Sequence, residues 1–280
     1  MPELPEVETV RKGLSSLVLN KTIASVEVRW PRIIESPEVP IFSELLKGQQ
    51  LLGFDRRGKF LIFKMTSVDL ISHLRMEGKY EFFAKEPIID KHTHVIFHFT
   101  DGSQLQYHDV RKFGRMTLVD KDQSGSYKGI QQLGPEPKPD SFLLPAFEMG
   151  LKKAKKAIKP LLLDQKLVTG LGNIYVDEAL WEAKLHPEQP ANTLTSDEVV
   201  LLHAAIIDVL ERAVNAGGTT IRTYLNALGE AGKFQQSLHV YGQTGNPCQR
   251  CGTPIVKIKV AQRGTHFCPH CQQLQMRDFL

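Results

Sequence analysis

The sequence predicts an α+β protein with a β-rich N-terminal part and a helical C-terminal part. Apolar and polar side chains alternate from about Lys21 to Asp120, as they do in strands that have one buried face. Helical signals dominate beyond residue 147. The segment LGPEPKPDSFLLP lies between the two parts, and its four prolines favour a stiff, extended connection. A chain of 280 residues is long enough for two separate cores.

The composition is that of a folded, soluble protein, with 41% hydrophobic and 24% charged residues. The sequence has no run of 18 or more apolar residues. Its start, MPELPEVETV, is acidic and proline-rich where a secretory signal would be basic and then apolar. We therefore expect a cytoplasmic protein with no membrane partner. The net charge of +4 favours a polyanionic partner only weakly.

The first predicted element is a short amphipathic helix over residues 5 to 17. Its apolar residues recur at helical spacing, and Pro5 suits the first helical position. The strands follow. Two apolar runs, Leu51 to Phe54 and Lys59 to Met65, flank a turn that contains Arg56, Arg57 and Gly58, so the pattern predicts a hairpin with Lys59 just past its tip.

The clearest helix of the C-terminal part begins at Thr195. Thr195 and Glu198 have the spacing of a capping box, and an apolar run continues from there to Val214. Gly217 and Gly218 are predicted to end this helix, since glycine readily adopts the left-handed conformation found there.

All four cysteines lie near the C-terminus with the spacing C-x2-C-x16-C-x2-C, namely Cys248, Cys251, Cys268 and Cys271. This spacing predicts one tetrahedral zinc site. Four thiolates leave no position for water, so the zinc is expected to be structural. His266 and His270 are nearby competitors as ligands.

Between the two cysteine pairs the sequence predicts a hairpin with Arg263 at its turn. An arginine on a rigid turn can contact phosphates or enter a groove. The alternative interpretation is an ordinary solvated turn residue.

The N-terminus offers a second candidate for chemistry. If Met1 is removed, Pro2 presents a secondary amine, which is a nucleophile without a side chain. An unperturbed α-amine has a pKa near ~8, so part of it is unprotonated at neutral pH. Glu3 could act beside it as an acid or base. The alternative is a helix cap without chemistry.

Six segments, in order from Pro2 to Gln272, resemble bacterial formamidopyrimidine-DNA glycosylases: PELPEVETV, DRRGKFL, HLRMEGKY, HDVRKFGR, TGLGNIYVDEALW and the four-cysteine finger. The resemblance implies an N-terminal catalytic β-sandwich domain with a flanking helix (1–132), a linker (133–147), a helical DNA-binding domain with a helix-two-turns-helix motif (148–238) and a zinc-finger hairpin (239–280).

The same resemblance implies a bifunctional glycosylase and lyase that removes oxidised purines, chiefly 8-oxoguanine and formamidopyrimidines, from duplex DNA. Pro2 would attack C1′ of the damaged nucleotide, with Glu3 as its acid/base partner. The imine formed would allow β- and then δ-elimination. Lys59 and Arg263 would complete the catalytic set. One structural zinc ion, no organic cofactor and a monomer on damaged double-stranded DNA are expected.

Further residues receive roles from the resemblance. Those predicted to bind DNA are His73, Met76, Arg111, Phe113, Asn173, Tyr241 and Lys159. Met76, Arg111 and Phe113 among them would fill the gap left by an extruded base. The lesion pocket would contain Glu77, Thr219, Ile221, Arg222, Thr223 and Tyr224. By pattern alone, His73 and His94 are more typical of structural histidines.

Two other functions compete with this one. Endonuclease VIII-like glycosylases of the same superfamily act on oxidised pyrimidines by the same amine chemistry. A non-catalytic zinc-ribbon protein that binds DNA would need the finger and the helices but not a free Pro2.

Overall fold

The computed structural model describes residues 1–85, 87, 89–219 and 232–277. It divides into two compact units, the first formed by residues 1–131 with 217–233 and the second by residues 132–216 with 234–280. No described helix has the length and apolar character needed to cross a membrane.

The first unit begins with α1 (Leu4–Val18) and contains two sheets. The four-stranded sheet has the order β1 (Ile23–Val28), β7 (Thr93–Phe99), β8 (Gln104–His108) and β6 (Lys79–Phe83). The five-stranded sheet has the order β2 (Ile34–Ser36), β9 (Arg115–Asp120), β5 (Val68–His73), β4 (Phe60–Met65) and β3 (Leu51–Arg57). Two shorter helices are α2 (Val39–Leu46) and α3 (Lys128–Gln131).

The core of this unit lies between the two sheets and under α1. Phe63 of the five-stranded sheet stacks on Phe97 of the other with 6.5 Å between ring centroids. Val10 and Leu14 of α1 join the same cluster, and each is 1% exposed or less. The two sheets packed face to face, with α1 beside them, form the expected β-sandwich with a flanking helix. The central strands β5, β7 and β8 are buried at nearly every position, so they do not show the alternation that the sequence pattern suggests.

Local signals placed these elements to within a residue or two. The first helix begins at Leu4, one residue earlier than predicted, with Glu3 as its N-cap and Pro5 in its second position. The β3–β4 hairpin is confirmed, but its turn consists of Gly58 and Lys59 alone: Arg56 and Arg57, predicted in the turn, pair within the strands, and Gly58 has a φ of 56°. Such a turn requires a positive φ in its first residue, which explains the glycine.

The second unit contains four helices among its described residues: α4 (Leu144–Lys152), α5 (Ile158–Leu163), α6 (Asn173–Glu182) and α7 (Ser196–Asn215). The capping box at the start of α7 is confirmed, since Glu198 N donates to Thr195 Oγ1 and Glu198 Oε2 accepts from Thr195 N. The hairpin of β10 (Val256–Val260) and β11 (Arg263–Phe267) follows.

The domain boundaries differ from those expected. Residues 133–147 are not a free connection: Gly134 N donates to Gln165 O, Phe142 is 1% exposed, and α4 already begins at Leu144. Residues 217–233, predicted to belong to the helical domain, group with the first unit. Proline content identified an irregular segment but could not reveal that the segment packs on its neighbours.

The tail after Cys271, for which the sequence suggests no role, is hydrogen-bonded to other parts of the second unit. Gln275 N donates to Gln189 Oε1 at 2.8 Å. The Arg277 guanidinium pairs with the Glu198 carboxylate at the start of α7, with 2.9 Å between Nη2 and Oε1. Burial alone would raise the pKa of Glu198, but the Arg277 contact and the hydrogen bonds from Thr195 together outweigh it and hold that pKa below its usual value.

Replacing Arg277 with Ala is expected to lower the free energy of unfolding by about 1 kcal/mol at pH 7. Because the folded pKa of Glu198 is depressed, this stability is present above the unfolded pKa and is lost as the pH falls through the folded pKa. Urea unfolding at pH 7 and pH 3 measures it. Met276→Ala is the control, since that side chain is 93% exposed. Equal stability of the two variants at pH 7 would contradict the assignment.

Candidate active site and DNA-binding surface

The N-terminal residues are held in place at the start of α1. Pro2 is buried and Glu3 is 2% exposed. Glu6, in the first turn of the helix, accepts the Glu3 backbone N–H through Oε2 at 2.8 Å and the Thr219 N–H through Oε1 at 2.7 Å. One carboxylate thus joins the residue next to Pro2 to a residue of the predicted lesion pocket.

The glycine before Thr219 is required by this arrangement. Gly218 has a φ of 78°, and a Cβ atom there would lie 2.8 Å from Glu6 Oε1. Sequence reasoning assigned no role to Glu6. Its position three residues after Glu3 is the spacing of a capping box, and this signal could have identified its contact with the Glu3 backbone.

Lys59 lies in the β3–β4 turn and is 7% exposed. Its hairpin is tied to α1 by ion pairs: Glu8 of the helix binds Arg56 of β3 at 3.2 Å and Arg11 of its own helix at 2.8 Å. Burial alone would raise the pKa of Glu8, but the two guanidinium groups hold it below its usual value. The turn that carries Lys59 is therefore attached to the same helix whose start holds Pro2 and Glu3.

His73, at the end of β5, packs edge-on against Phe60 with 4.6 Å between ring centroids. Burial, with smaller contributions from Arg75 and Lys59, lowers the pKa of His73 to about 3, so the ring is neutral at pH 7. Its Nδ1 accepts the Arg75 N–H at 3.0 Å, which leaves the proton on Nε2. The ring can donate one hydrogen bond to a phosphate but brings no positive charge.

The three predicted gap-filling residues lie on two loops of the first unit. Phe113 is 46% exposed, and the Arg111 guanidinium lies 4.7 Å from the centroid of its ring. Met76 is half-buried, on the loop between β5 and β6. An exposed phenylalanine beside an arginine can provide a wedge and a hydrogen-bond donor.

The predicted lesion pocket is only partly described. Glu77 is exposed on the loop that carries Met76, and Thr219 is buried beside Glu6. The other four predicted residues, Ile221, Arg222, Thr223 and Tyr224, lie outside the described residues.

In the second unit, Asn173 is the first residue of α6, and its Nδ2 donates to Gly264 O at 2.9 Å. The neighbouring Arg263 is exposed and is the first residue of β11. The hairpin turn is therefore formed by Ala261 and Gln262, and not by Arg263 as predicted. Asn173 and Arg263, the two residues predicted to bind phosphates, are thus brought together by the hydrogen bond from Asn173 to the backbone of Gly264.

Tyr241 is half-buried, and its backbone N–H donates to Glu178 Oε1 at 2.9 Å. Its ring packs on His266 of β11, with 4.9 Å between ring centroids. Glu178 also accepts the N–H groups of His239 and Val240. This buried carboxylate, which sequence reasoning missed, orders the segment that carries Tyr241.

The structure contradicts the predicted DNA contact of Lys159. Its side chain is 0% exposed and its Nζ pairs with Asp177 at 2.7 Å. The same Nζ donates to Thr265 Oγ1 at 2.8 Å, while Asp177 also accepts the His266 N–H. Lys159 therefore fastens the zinc-finger hairpin to α5 and α6. A buried partner of opposite charge cannot be read from the sequence around a lysine.

The four cysteine sulfurs fit a single zinc ion. All four lie within 4.8 Å of one another, with 3.5 Å between the Sγ atoms of Cys251 and Cys268 and 3.9 Å between those of Cys248 and Cys271. Zn–S bonds of about 2.3 Å in a tetrahedron require S···S distances of about 3.8 Å. Neither His266 nor His270 belongs to the ligand group found among the described residues.

Comparison with known proteins agrees with this geometry. Family models match consecutive parts of the chain: the formamidopyrimidine-DNA glycosylase N-terminal domain over residues 1–116, the H2TH domain of the same glycosylases over 133–225, and the zinc finger found in FPG and IleRS over 245–274. The chain belongs to the formamidopyrimidine-DNA glycosylase family.

Relatives named formamidopyrimidine-DNA glycosylase include those of Enterococcus faecalis, 72% identical over 99% of both chains, and Latilactobacillus sakei, 59% identical over 97% of this chain and 98% of the relative. A Lactococcus lactis FPG mutant bound to Fapy-dG-containing DNA has a TM-score of 0.93 and 49% identity, covering 97% of this chain and all of the other. A complex of the Lactococcus lactis protein with abasic-site DNA has the same TM-score and identity, covering 97% and 99%.

Membership in this family confirms the predicted fold class and the structural zinc site. It also makes the chain an enzyme, a DNA glycosylase of the type that repairs oxidised purines, and excludes the non-catalytic zinc-ribbon alternative. Asn173 and the cysteines lie within the segments matched by the H2TH and zinc-finger models.

Replacing Lys159 with Met is expected to destabilise the protein by about 3–5 kcal/mol, because Asp177 would remain as a buried charge without its cation. Lys156→Met removes an ion pair of similar length, 2.8 Å to Asp164, from a half-exposed site and should cost under about 1 kcal/mol. Urea unfolding measures both.

The same variant tests the corrected role of Lys159 in DNA binding. Because the buried Lys159 side chain cannot reach a phosphate, the slope of log affinity against log salt for undamaged DNA should equal that of the wild type. The measurement is made at a temperature where the variant is folded. A slope shallower by about one would mean that Lys159 does bind a phosphate.

Proposed function

We propose that the enzyme excises oxidised purines, chiefly 8-oxoguanine and formamidopyrimidines, from duplex DNA and then cuts the strand as a lyase. It acts as a monomer on DNA in the bacterial cytoplasm. Residues 1–131 with the adjoining residues 217–233 carry the chemistry, and the second unit grips the DNA backbone through Asn173 and Arg263.

The main support for this proposal is that the N-terminal residues are held in a fixed position. The first residues of most domains are poorly ordered unless something ties them down. Here Pro2 and Glu3 are buried and the Glu3 backbone is bonded to Glu6. Met1 is 46% exposed, as its removal requires. Once Met1 is gone, Pro2 is a secondary amine at the positive end of a helix, where the neutral form of an amine is favoured.

The amine then forms a bond to C1′ of the damaged nucleotide while the bond between the sugar and the base breaks; the base leaves with the bonding electrons and takes up a proton, and the Pro2 nitrogen gives up its own proton. Glu3 donates a proton as the sugar ring opens, and an imine joins Pro2 to the opened sugar. The cationic imine makes the C2′ proton acidic, so the 3′ phosphate leaves first and the 5′ phosphate follows. Covalent catalysis of this kind divides a difficult displacement into easier steps.

Glu3, Lys59 and Arg263 provide the remaining groups. Glu3 is 2% exposed beside Pro2, so proton exchange between this carboxyl group and the sugar would take place away from bulk water. Lys59 assists β-elimination from the turn that the Glu8 ion pairs fix to α1. Arg263 is exposed at the start of β11, where its guanidinium can bind a phosphate.

The lesion class is supported by what similar proteins bind. Lactococcus lactis complexes contain Fapy-dG or an abasic site. Another complex of that protein contains an oxidised pyrimidine. Oxidised pyrimidines are therefore the second candidate substrate class.

Borohydride trapping on a duplex with 8-oxoguanine opposite cytosine tests the proposal. The processed protein should form a covalent adduct with the DNA, because borohydride reduces the imine. A protein with two residues added before Met1 should form none, since its Pro2 nitrogen stays in a peptide bond. The same two residues added after Leu280 are the control and should leave the adduct intact.

Substrate choice is tested in the same assay with a duplex that contains thymine glycol. Preferential excision of 8-oxoguanine is expected. Excision of thymine glycol with 8-oxoguanine left intact would overturn the substrate assignment, and an adduct with the blocked N-terminus would overturn the role of Pro2.

A further inference from the structure

Two loops of the first unit meet at one buried hydroxyl group. The loop between β5 and β6 carries Met76 and ends at Gly78, and the loop between β8 and β9 carries Arg111 and Phe113 and ends at Gly114. The hydroxyl belongs to Tyr107, which lies in β8 and is 0% exposed.

Both glycines are required by this hydroxyl. A Cβ atom at Gly114 would lie 1.7 Å from Tyr107 Oη and 2.7 Å from its Cζ. A Cβ atom at Gly78 would lie 2.2 Å from the same Oη. The Tyr107 ring is enclosed in the core and packs on Tyr80 with 5.2 Å between ring centroids, so it cannot move aside. The backbones of the two loops therefore both lie against the hydroxyl end of one enclosed side chain.

The second loop is also held from within by Asp109, whose side chain is 0% exposed. Its Oδ1 accepts the Arg111 N–H at 3.0 Å, and its Oδ2 accepts the N–H groups of Phe113 and Gly114, both at 2.9 Å. Tyr107 Oη lies 3.4 Å from the same Oδ2. Hydrogen bonds to a carboxylate are roughly twice as strong as neutral ones, so this carboxylate fixes the loop backbone at three points.

Asp109 is itself anchored to the sheet. Its carbonyl oxygen accepts from His94 Nε2 at 2.8 Å, and its N–H donates to His92 O at 3.0 Å. The histidine that sequence pattern identified as structural thus holds the base of the loop.

We infer that Tyr107 and Asp109 are positioning residues that hold the loops of Met76 and of Arg111 and Phe113 at a fixed spacing, so that these side chains enter the duplex as one preformed wedge. The inference rests on the function proposed above. Extruding a base costs a few kcal/mol of unstacking, and a loop that must first be ordered adds its own entropy to that cost. A rigid wedge avoids the second cost.

This role predicts a difference between two kinds of substrate. A duplex with 8-oxoguanine requires the enzyme to extrude a stacked base before chemistry. A duplex with a preformed abasic site requires no base extrusion and reports mainly on the amine chemistry. Loss of the loop spacing should therefore slow the first reaction far more than the second.

Tyr107→Phe removes the hydroxyl between the glycines and keeps the ring. Tyr80→Phe is its matched control, because Tyr80 is 1% exposed in the same core and its hydroxyl donates to Ser72 Oγ of β5 at 2.7 Å, a strand residue outside both loops. Single-turnover base release from the 8-oxoguanine duplex should fall about tenfold in Tyr107→Phe and no more than about twofold in Tyr80→Phe. Trapping on the abasic duplex should stay within about twofold of wild type in both.

Asp109→Asn provides a second test, since its amide cannot accept at both ends. Asp69→Asn is the control, because Asp69 is 0% exposed in the same unit and binds Lys64 and the Asp122 N–H. Asp109→Asn should show the same substrate difference and Asp69→Asn should not. Equal rates in the two tyrosine variants, or an equal loss on both substrates in Asp109→Asn, would overturn the inference. A wild-type protein that leaves 8-oxoguanine intact would instead overturn the proposed function.

Discussion

The hydrogen bonds that Glu6 accepts are the interaction on which the proposed reaction centre depends. A nucleophile that is the chain terminus has no side chain through which a core can hold it, so only backbone contacts can place it. Glu6 provides such a contact to the Glu3 N–H and a second one to the Thr219 N–H. The start of α1 and a residue 213 positions later in the chain are thereby joined by a single buried carboxylate. In the proposed mechanism, the position of the Pro2 amine is therefore set by the folded unit.

The second unit also uses buried carboxylates to hold backbone segments in place. Two consecutive buried carboxylates of α6, Asp177 and Glu178, bind backbone N–H groups of segments far along the chain. Asp177, with Lys159, holds β11 beside Asn173, and Glu178 orders residues 239–241. The zinc ion closes the finger, but these carboxylates fix its hairpin to the helices. The placement of Arg263 therefore depends on the helices as well as on the metal.

Much of the fold and the identity of the family could be predicted because their signals are local. The capping box at Thr195, the spacing of the four cysteines and the glycine of the β3–β4 turn each act within a few residues. The predictions were wrong where contacts with residues far along the chain determine the structure. Lys159 resembles a solvent-facing lysine until Asp177 is found beside it, and no local pattern assigns residues 217–233 to the first unit. Tyr107 and Asp109 were missed for the same reason: they act on backbone groups, which carry no sequence signal.

The claim that Glu6 places the reactive terminus is tested most directly by the rate of borohydride trapping on a preformed abasic duplex with Glu6→Gln. A glutamine can accept only one of the two N–H groups, so trapping should slow about tenfold or more while affinity for the duplex stays unchanged. Glu44→Gln, an exposed carboxylate of the same unit, should match the wild type in both. A Glu6→Gln protein that forms the adduct at the wild-type rate would contradict this account.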